Sequence, residues 1–380
     1  MSAFGITFGM FKLTVLVALI AVFSRFVANM LMFMDLNKRV YNHVPGSCSA
    51  VAGVDFGSAD MDFIESMGAI LTTSGLHLWT NSSEMPKGHD SQRERGGTVF
   101  WYNVTGKTSW ETRIESKSLN DKTFNPQGIS VWSEGKQITV FVVNHRKRWD
   151  TIEVFRYKEV GQEKVLKHMK TVKSPLFSNL NDVLAVGANQ FYAANFYYFK
   201  QPTWRVAEVY SGARLGNVLY FDGRNASAVV KWVQSPTALA LDKGKKFLYV
   251  SSLVGERILV YKVESDRNLT YHSDIPLNTS PDQLFVDPYT ADLYVACHPS
   301  KSRFLYYATT APDEAQIPSQ VLRIRGRPTK QNWQFYQMYA NDGATISASS
   351  VAIRHKDTMV IGSLYHRMLV CDIDYPMALM

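Results

Sequence analysis

Three short turns in this sequence carry acidic or amide side chains just ahead of an apolar run. They are S-A-D-M around Asp60, N-L-N-D around Asn181 and Asp182, and S-P-D-Q around Asp282 and Gln283. Three more turns of the same form hold Asn125 and Gln127 (F-N-P-Q-G-I-S), Ser235, and Ser349 with Ser350. Taken singly, an Asp in such a turn caps a backbone hydrogen bond. Gathered at one point, carboxylate and amide oxygens suit a hard cation such as Ca²⁺, which takes about six to eight oxygens at 2.3–2.6 Å. No His/Cys spacing for zinc is present. Gln127 cannot move a proton at any ordinary pH, so its turn is either the floor of a working site or the remnant of one. These residues are scattered along the chain, and the chemistry exists only if an architecture brings the turns together.

That architecture is written as a repeat. SPTALALDKGKKFLYVSS (235–252) and SPDQLFVDPYTADLYVAC (280–297) share the order turn, apolar strand, Asp turn, apolar strand. Asp242 and Asp287 lie 45 residues apart, as do the Leu-Tyr-Val triplets at 248 and 293, and that period belongs to propeller blades. SADMDFIESMGAILTTSG, NPQGISVWSEGKQITVFVVNH, LNDVLAVGANQFYAANF and ASSVAIRHKDTMVIGSLY continue the pattern. The turns fall near residues 60, 126, 181, 235, 282 and 349, which are 47 to 67 apart. The expected fold is all-β, a six-bladed β-propeller over residues 44–380, whose turns converge on one mouth of a central channel.

Composition agrees. Apolar residues make up 46% of the 380 residues and charged ones 19%, which excludes a disordered chain. The 13% aromatic content suits sheet surfaces. The net charge of +8 is dispersed over His145–Arg148, Lys243–Lys246 and Arg323–Lys330. All three clusters are expected in solvated turns, and no nucleic-acid partner is expected. Cys48 and Cys371 flank the globular region, and a bridge between them would fasten the first strand to the last. Cys297, inside LYVACHP, reads as a buried free thiol.

Residues 1–43 form an N-terminal segment and linker. Leu13–Met34 is apolar apart from Thr14, Ser24, Arg25 and Asn29, long enough to cross a bilayer as a helix, with Arg25 costing about 2.5–3.5 kcal/mol on insertion scales. No small-x-small cleavage site follows Leu13–Phe23, which favours an uncleaved signal anchor over a cleaved signal peptide. Flanking charge leaves orientation ambiguous, since Lys12 precedes the span while Lys38 and Arg39 follow it. Five sequons, at Asn81, Asn103, Asn225, Asn268 and Asn278, together with the cysteine pair, favour a lumenal or extracellular body on an endoplasmic-reticulum or plasma membrane.

The segments CSAVAGVDFGSADMDFI, FNPQGIS, VVNH, NLNDVLAVG, VDPYTADLYVACHP and IGSLYHRMLVC, in order over nearly all of residues 44–373, resemble the paraoxonase family of calcium-dependent lactonases and arylesterases. The resemblance implies a six-bladed propeller, two channel calcium ions, a retained apolar N-terminus and a Cys48–Cys371 disulfide. It implies a deep, structural calcium held by Asp60, the Ile129 carbonyl and Asp182. It implies that the upper, catalytic calcium keeps Asn181 and Asp282, with Ser235 near the family's fourth-turn asparagine, Gln283 in place of an asparagine, and Ala59 where the family has a glutamate. Of the family's histidine pair, the inner member is Gln127 here and the outer is kept as His145.

Ala59 removes a full negative charge from a divalent site, and Gln127 removes a general base, a contribution of typically 10²–10⁴-fold. The expectation is therefore a propeller with one structural Ca²⁺, a weak or lost second one, no confident catalytic residue, and little hydrolysis. A lactonase or arylesterase with a reduced site, using Asn181, Asp282 and His145, is the alternative. Within the family, nematode paraoxonase-like membrane proteins pair a single span with an accessory or chaperone role toward degenerin-type sodium channels. The resemblance implies such a partner here. The aromatic segment 190–216, helix-like through Trp204, Val206, Val209 and Tyr210, is expected either to meet a membrane or to pack on the propeller.

Overall fold

The computed structural model describes residues 3–35, 38–55, 57–76, 96–119, 123–146, 149–310 and 316–374. Six sheets, antiparallel apart from one added edge strand, are arranged among the described residues as the blades of a propeller. Their innermost strands are Met61–Ile64, Pro126–Glu134, Leu180–Gly187, Pro236–Leu241, Ser280–Val286 and Ser349–His355, each starting at a turn of the repeat. Second strands such as Ala69–Ser74, Phe247–Ser252 and Leu293–His298 are buried along their whole length, because neighbouring blades cover both faces. Outer strands such as Ala226–Val233 mix exposed and buried positions. Aromatic layers fill the gaps between blades: Phe191 of blade 3 stacks on Phe221, with centroids 4.8 Å apart, and meets Phe141 of blade 2 at 5.7 Å.

The two repeated Asp residues are turn caps. Asp242 accepts the N–H groups of Gly244, Lys246 and Phe247, and Asp287 those of Tyr289 and Thr290. Asp287 also meets Arg354 Nη1 at 3.1 Å, tying blade 5 to blade 6.

The ring closes through its ends. Cys48–Ala50 is the outermost strand of blade 6, antiparallel to Leu369–Asp372, with Cys48 opposite Cys371 and a disulfide between them. Blade 2 gains a fifth strand, Arg113–Glu115, parallel to Glu163–Val172. Cys297 is a buried free thiol that burial holds well above the usual range.

One basic cluster departs from the turn expectation. Arg323 lies in the strand Ser319–Arg325, is fully buried, and donates Nε–H to Asp292 at 2.7 Å. The cost of a buried guanidinium falls when a carboxylate partners it, and local composition does not reveal a partner 31 positions away. Lys243–Lys246 does form a hairpin turn; Lys147 and Arg148 lie outside the described residues.

Among the described residues three α-helices decorate the propeller: α1 (Ala3–Phe33), α2 (Pro202–Tyr210) and α3 (Lys301–Thr310). Within α1, Met10–Phe33 is long and apolar enough to span a membrane. In α2, Val209 is buried while Trp204 and Val206 are exposed.

Candidate functional site at the channel mouth

Because each inner strand starts at the mouth, the turn residues face one another there. Asp60 is 4% exposed. Its Oδ1 accepts the N–H of Met61 at 2.8 Å, and its Oδ2 accepts the N–H of Ile129 in blade 2 at 2.8 Å. Asp182 repeats the device one step round the ring, accepting from Val183 and from Leu239 of blade 4, both at 2.7 Å. Each carboxylate thus clips its own strand to the next blade. Gly128 lets blades 2 and 3 approach this closely: a Cβ there would sit 2.7 Å from both the Asn181 carbonyl oxygen and the Asp182 Cα.

The cost of this arrangement is electrostatic. Burial pushes Asp60 well above the ordinary carboxylate range, and Asp62 and Asp282 repel it further. Burial does the same to Asp182, reinforced by Asp60 and Asp62. Burial also pushes Asp62 up to about 6, against hydrogen bonds from Val131, Phe63 and Ser130. A hard cation reverses such repulsion, and every carboxylate oxygen keeps a lone pair after one N–H bond. The donor chemistry therefore fits Ca²⁺ between Asp60 and Asp182. Among the described residues no three His, Cys, Asp or Glu side chains converge as a metal cluster, so neutral oxygens would complete the shell. At Ile129, whose carbonyl was the expected ligand, the contact shown is its N–H on Asp60.

The upper residues are arranged differently. Gln283 Nε2 donates to Asn181 Oδ1 at 3.4 Å. Asp282 Oδ2 lies 3.2 Å from His298 Nε2, and the His298 ring stacks on Phe304 of α3 at 3.6 Å. Burial raises Asp282, and His298 opposes the rise. Ser235 is buried in the left-handed region at φ 44°, its carbonyl accepting from Leu253 N–H. Ala59 is 1% exposed and belongs to an apolar cluster with Phe196, Leu253, Phe304, Ile317 and Leu364.

Gln127 and His145 meet directly. His145 Nε2 lies 2.6 Å from Gln127 Oε1, and Nδ1 lies 3.0 Å from Asp150 Oδ1. A neutral ring that donates Nδ1–H to Asp150 presents a lone pair at Nε2, and turning the Gln127 amide over places its NH₂ there. Asp150 is itself fixed, since its Oδ2 accepts from Leu180 N–H at 2.7 Å. The nitrogen that would take a proton is occupied by a group that cannot pass one on.

The helices close in from above. Phe33, at the end of α1, packs on Tyr210 of α2 with centroids 5.6 Å apart, and Lys301 Nζ lies 4.6 Å over the Phe33 ring. Buried Asp35 accepts the Lys301 backbone N–H at 2.8 Å and pairs with Lys38 at 2.8 Å. Glu256 of blade 4 receives both Lys38 (3.0 Å) and Lys301 (3.4 Å). The end of the apolar helix is docked on the mouth through Phe33 and Asp35, while most of Met10–Phe33 is exposed.

Comparison with known proteins supplies the lineage. The arylesterase family model matches residues 20–373. This chain belongs to the arylesterase (paraoxonase) family. It is 32% identical over 364 residues to mechanosensory abnormality protein 6 of Caenorhabditis elegans, covering 92% of each chain. It is 30% identical to serum paraoxonase/arylesterase 2 of Bos taurus, over 86% of this chain and 89% of that one. It is also 30% identical to serum paraoxonase/arylesterase 1 of Homo sapiens, over the same shares. Among solved structures, a luciferin-regenerating enzyme superposes with a TM-score of 0.52 at 10% identity, covering 86% of this chain and 95% of that one, a likeness of fold.

Within this arylesterase-family site the sequence reading passed over Asp62, Asp150, His298 and Asp35. Two of them had a signal. Asp62 is two residues beyond Asp60, so strand alternation puts it on the same face. His298 ends the strand paired with the one that carries Asp282. Of the sequons, Asn103, Asn225, Asn268 and Asn278 are in the structure, and Asn81 lies outside the described residues.

Proposed function

We propose that this protein is a membrane-anchored paraoxonase-fold accessory subunit or chaperone for membrane proteins, stabilised by one deep Ca²⁺ and without appreciable esterase chemistry. The observation that carries the reading is the self-satisfaction of the upper site. Asn181 is bonded by Gln283, Asp282 faces His298, His145 Nε2 meets Gln127, and Ala59 lies in an apolar cluster. No acidic oxygen stands at Ala59 to hold an ion that could polarise an ester carbonyl, usually the largest catalytic contribution. Below, Asp60 and Asp182 would hold the structural ion, which would neutralise their repulsion and brace blades 1 to 4. The likeness to mechanosensory abnormality protein 6 and the candidate span support a membrane partner; a degenerin-type channel is the one the resemblance implies. The reading places the propeller in the lumenal or extracellular space.

A reduced lactonase or arylesterase is the second reading, favoured by the Asp150–His145 pair, which would orient an imidazole for proton transfer. Hydrolysis of phenyl acetate and of a γ-lactone by the full chain in mild detergent, with Ca²⁺ or with EGTA, separates the two. The expected rate is background in both. Calcium-dependent turnover overturns the accessory reading. EGTA is expected to lower Tm, and Asp60→Ala or Asp182→Ala to abolish that response; an EGTA-insensitive wild type rules out the deep ion.

A further inference from the structure

The four sequons among the described residues do not fall at random on the propeller. In an antiparallel blade whose innermost strand starts at the mouth, the second-to-third connection returns to the mouth and the third-to-fourth connection lies at the opposite pole. Asn103 ends the third strand of blade 1, Thr98–Asn103, before the turn to Thr108–Glu111. Asn225 sits between Gly216–Phe221 and Ala226–Val233, the third and fourth strands of blade 3. Asn268 sits between Arg257–Val263 and Leu269–Pro276, the same pair in blade 4. All three therefore occupy one pole. The other pole holds α2 and α3, both inserted between second and third strands, and the docked end of α1.

Local chemistry suits modification at each. Asn225 and Asn268 are exposed and Asn103 is half-buried, and the hydroxyl residues two positions on, Thr105, Ser227 and Thr270, are all exposed. The backbones are held in tight turns, and the Asn268 side chain lies against Asp266, its Nδ2 donating to Oδ2 at 2.6 Å across the exposed turn. The N–H of Asn225 is taken by Asp222, that of Asn268 by Asp266, and Asn103 Oδ1 accepts the Gly106 N–H. Asn278 differs. It lies at the mouth pole and is itself exposed, but its carbonyl accepts from Lys38 at 3.0 Å, it lines a cleft with Lys38 and Arg39, and Thr279 and the sequon hydroxyl Ser280 are buried.

We propose that Asn103, Asn225 and Asn268 carry N-linked glycans that sheath the pole remote from the membrane helix, and that Asn278 stays bare. The donor is a lipid-linked oligosaccharide diphosphate. The asparagine Nδ2 forms a bond to the sugar C1, the C1–O bond to the diphosphate breaks, and the amide proton leaves with the lipid diphosphate. Partners are thereby confined to the mouth pole and the blade flanks. This rests on the lumenal or extracellular placement of the propeller proposed above.

The test expresses the full chain, tagged at its C-terminus and carrying Asn81→Gln because Asn81 lies outside the described residues, in a cell with a secretory pathway. Its mobility is followed before and after peptide N-glycosidase F, and tag protection from protease in sealed microsomes is read in parallel. The expected results are a protected tag, a three-step loss of mass, one step removed by each of Asn103→Gln, Asn225→Gln and Asn268→Gln, none by Asn278→Gln, and no shift in the triple variant. Thr105→Ala, Ser227→Ala and Thr270→Ala remove the acceptor signal while keeping each asparagine in its turn, and should reproduce the losses if a Gln variant misfolds. A protected tag with glycan retained in the triple variant, or with a step lost in Asn278→Gln, overturns the pole assignment while the orientation stands. A digested tag without glycan overturns both.

Discussion

At the scale of single residues, the mouth shows how a site can keep its shape without its charges. Ala59 is 1% exposed among apolar side chains. A glutamate there would be buried without a counter-charge. Ala59→Glu is therefore expected to destabilise the protein by about 2–5 kcal/mol in EGTA, measured by denaturant unfolding, with little recovery in added Ca²⁺. Full recovery would mean that an upper cation site persists. A second buried acid obeys different rules. Glu153 is fully buried, and burial alone would raise its pKa. Hydrogen bonds from Thr171, Asn144, Thr151 and His168 outweigh burial and hold it below the usual range. A lowered folded pKa contributes stability above the unfolded value of 4.5, lost as pH falls through the lower folded value. Glu153→Gln should cost about 1–3 kcal/mol at pH 7 and progressively less below about pH 4. Unfolding curves compared across that range check it, and a pH-independent difference would remove the ionic explanation.

At the scale of elements, the repeat was legible because propeller blades reuse one pattern. The spacing of the LYV triplets and the polar turn before each inner strand located all six inner strands. Less was legible where a contact joins distant elements. Arg323 reads locally as part of a basic loop, yet it sits in a buried strand because Asp292 meets it across the sheet. The docking of α1 through Asp35, Lys301 and Glu256 joins three stretches that no local pattern relates. Gly128 is the reverse case, a turn glycine in the sequence that proves to be the seam between blades 2 and 3. Gly128→Ala should force those blades apart, costing about 1–3 kcal/mol in unfolding assays and shrinking the shift of Tm by EGTA. An unchanged EGTA response would separate the seam from the ion.

At the scale of the molecule, a ring of blades has one junction without chain continuity. The Cys48–Cys371 bond spans a separation of 323 residues across it. Chain-entropy reasoning gives about 5 kcal/mol for so long a loop, an upper bound where the reduced chain retains structure. Cys371→Ser, or reduction, is expected to lower Tm sharply while the inner blades keep their β signal until unfolding begins. A Tm within a degree of wild type would show that strand pairing alone closes the ring.

The sequence by itself determined the kind of fold, the number of blades, the apolar N-terminal helix and the polar turns that precede the inner strands. All of these follow from local patterns, alternation, turn chemistry and a repeated spacing, which neighbouring residues impose on one another. Only the tertiary structure decided what the residues of those turns do. Whether Asp60 clips a neighbouring blade, whether Asn181 meets an amide, and whether His145 faces a proton carrier or Gln127 depend on atoms brought within a few ångströms from blades far apart in the chain. Hydrogen bonding and burial act at that range in space and have no counterpart in sequence distance.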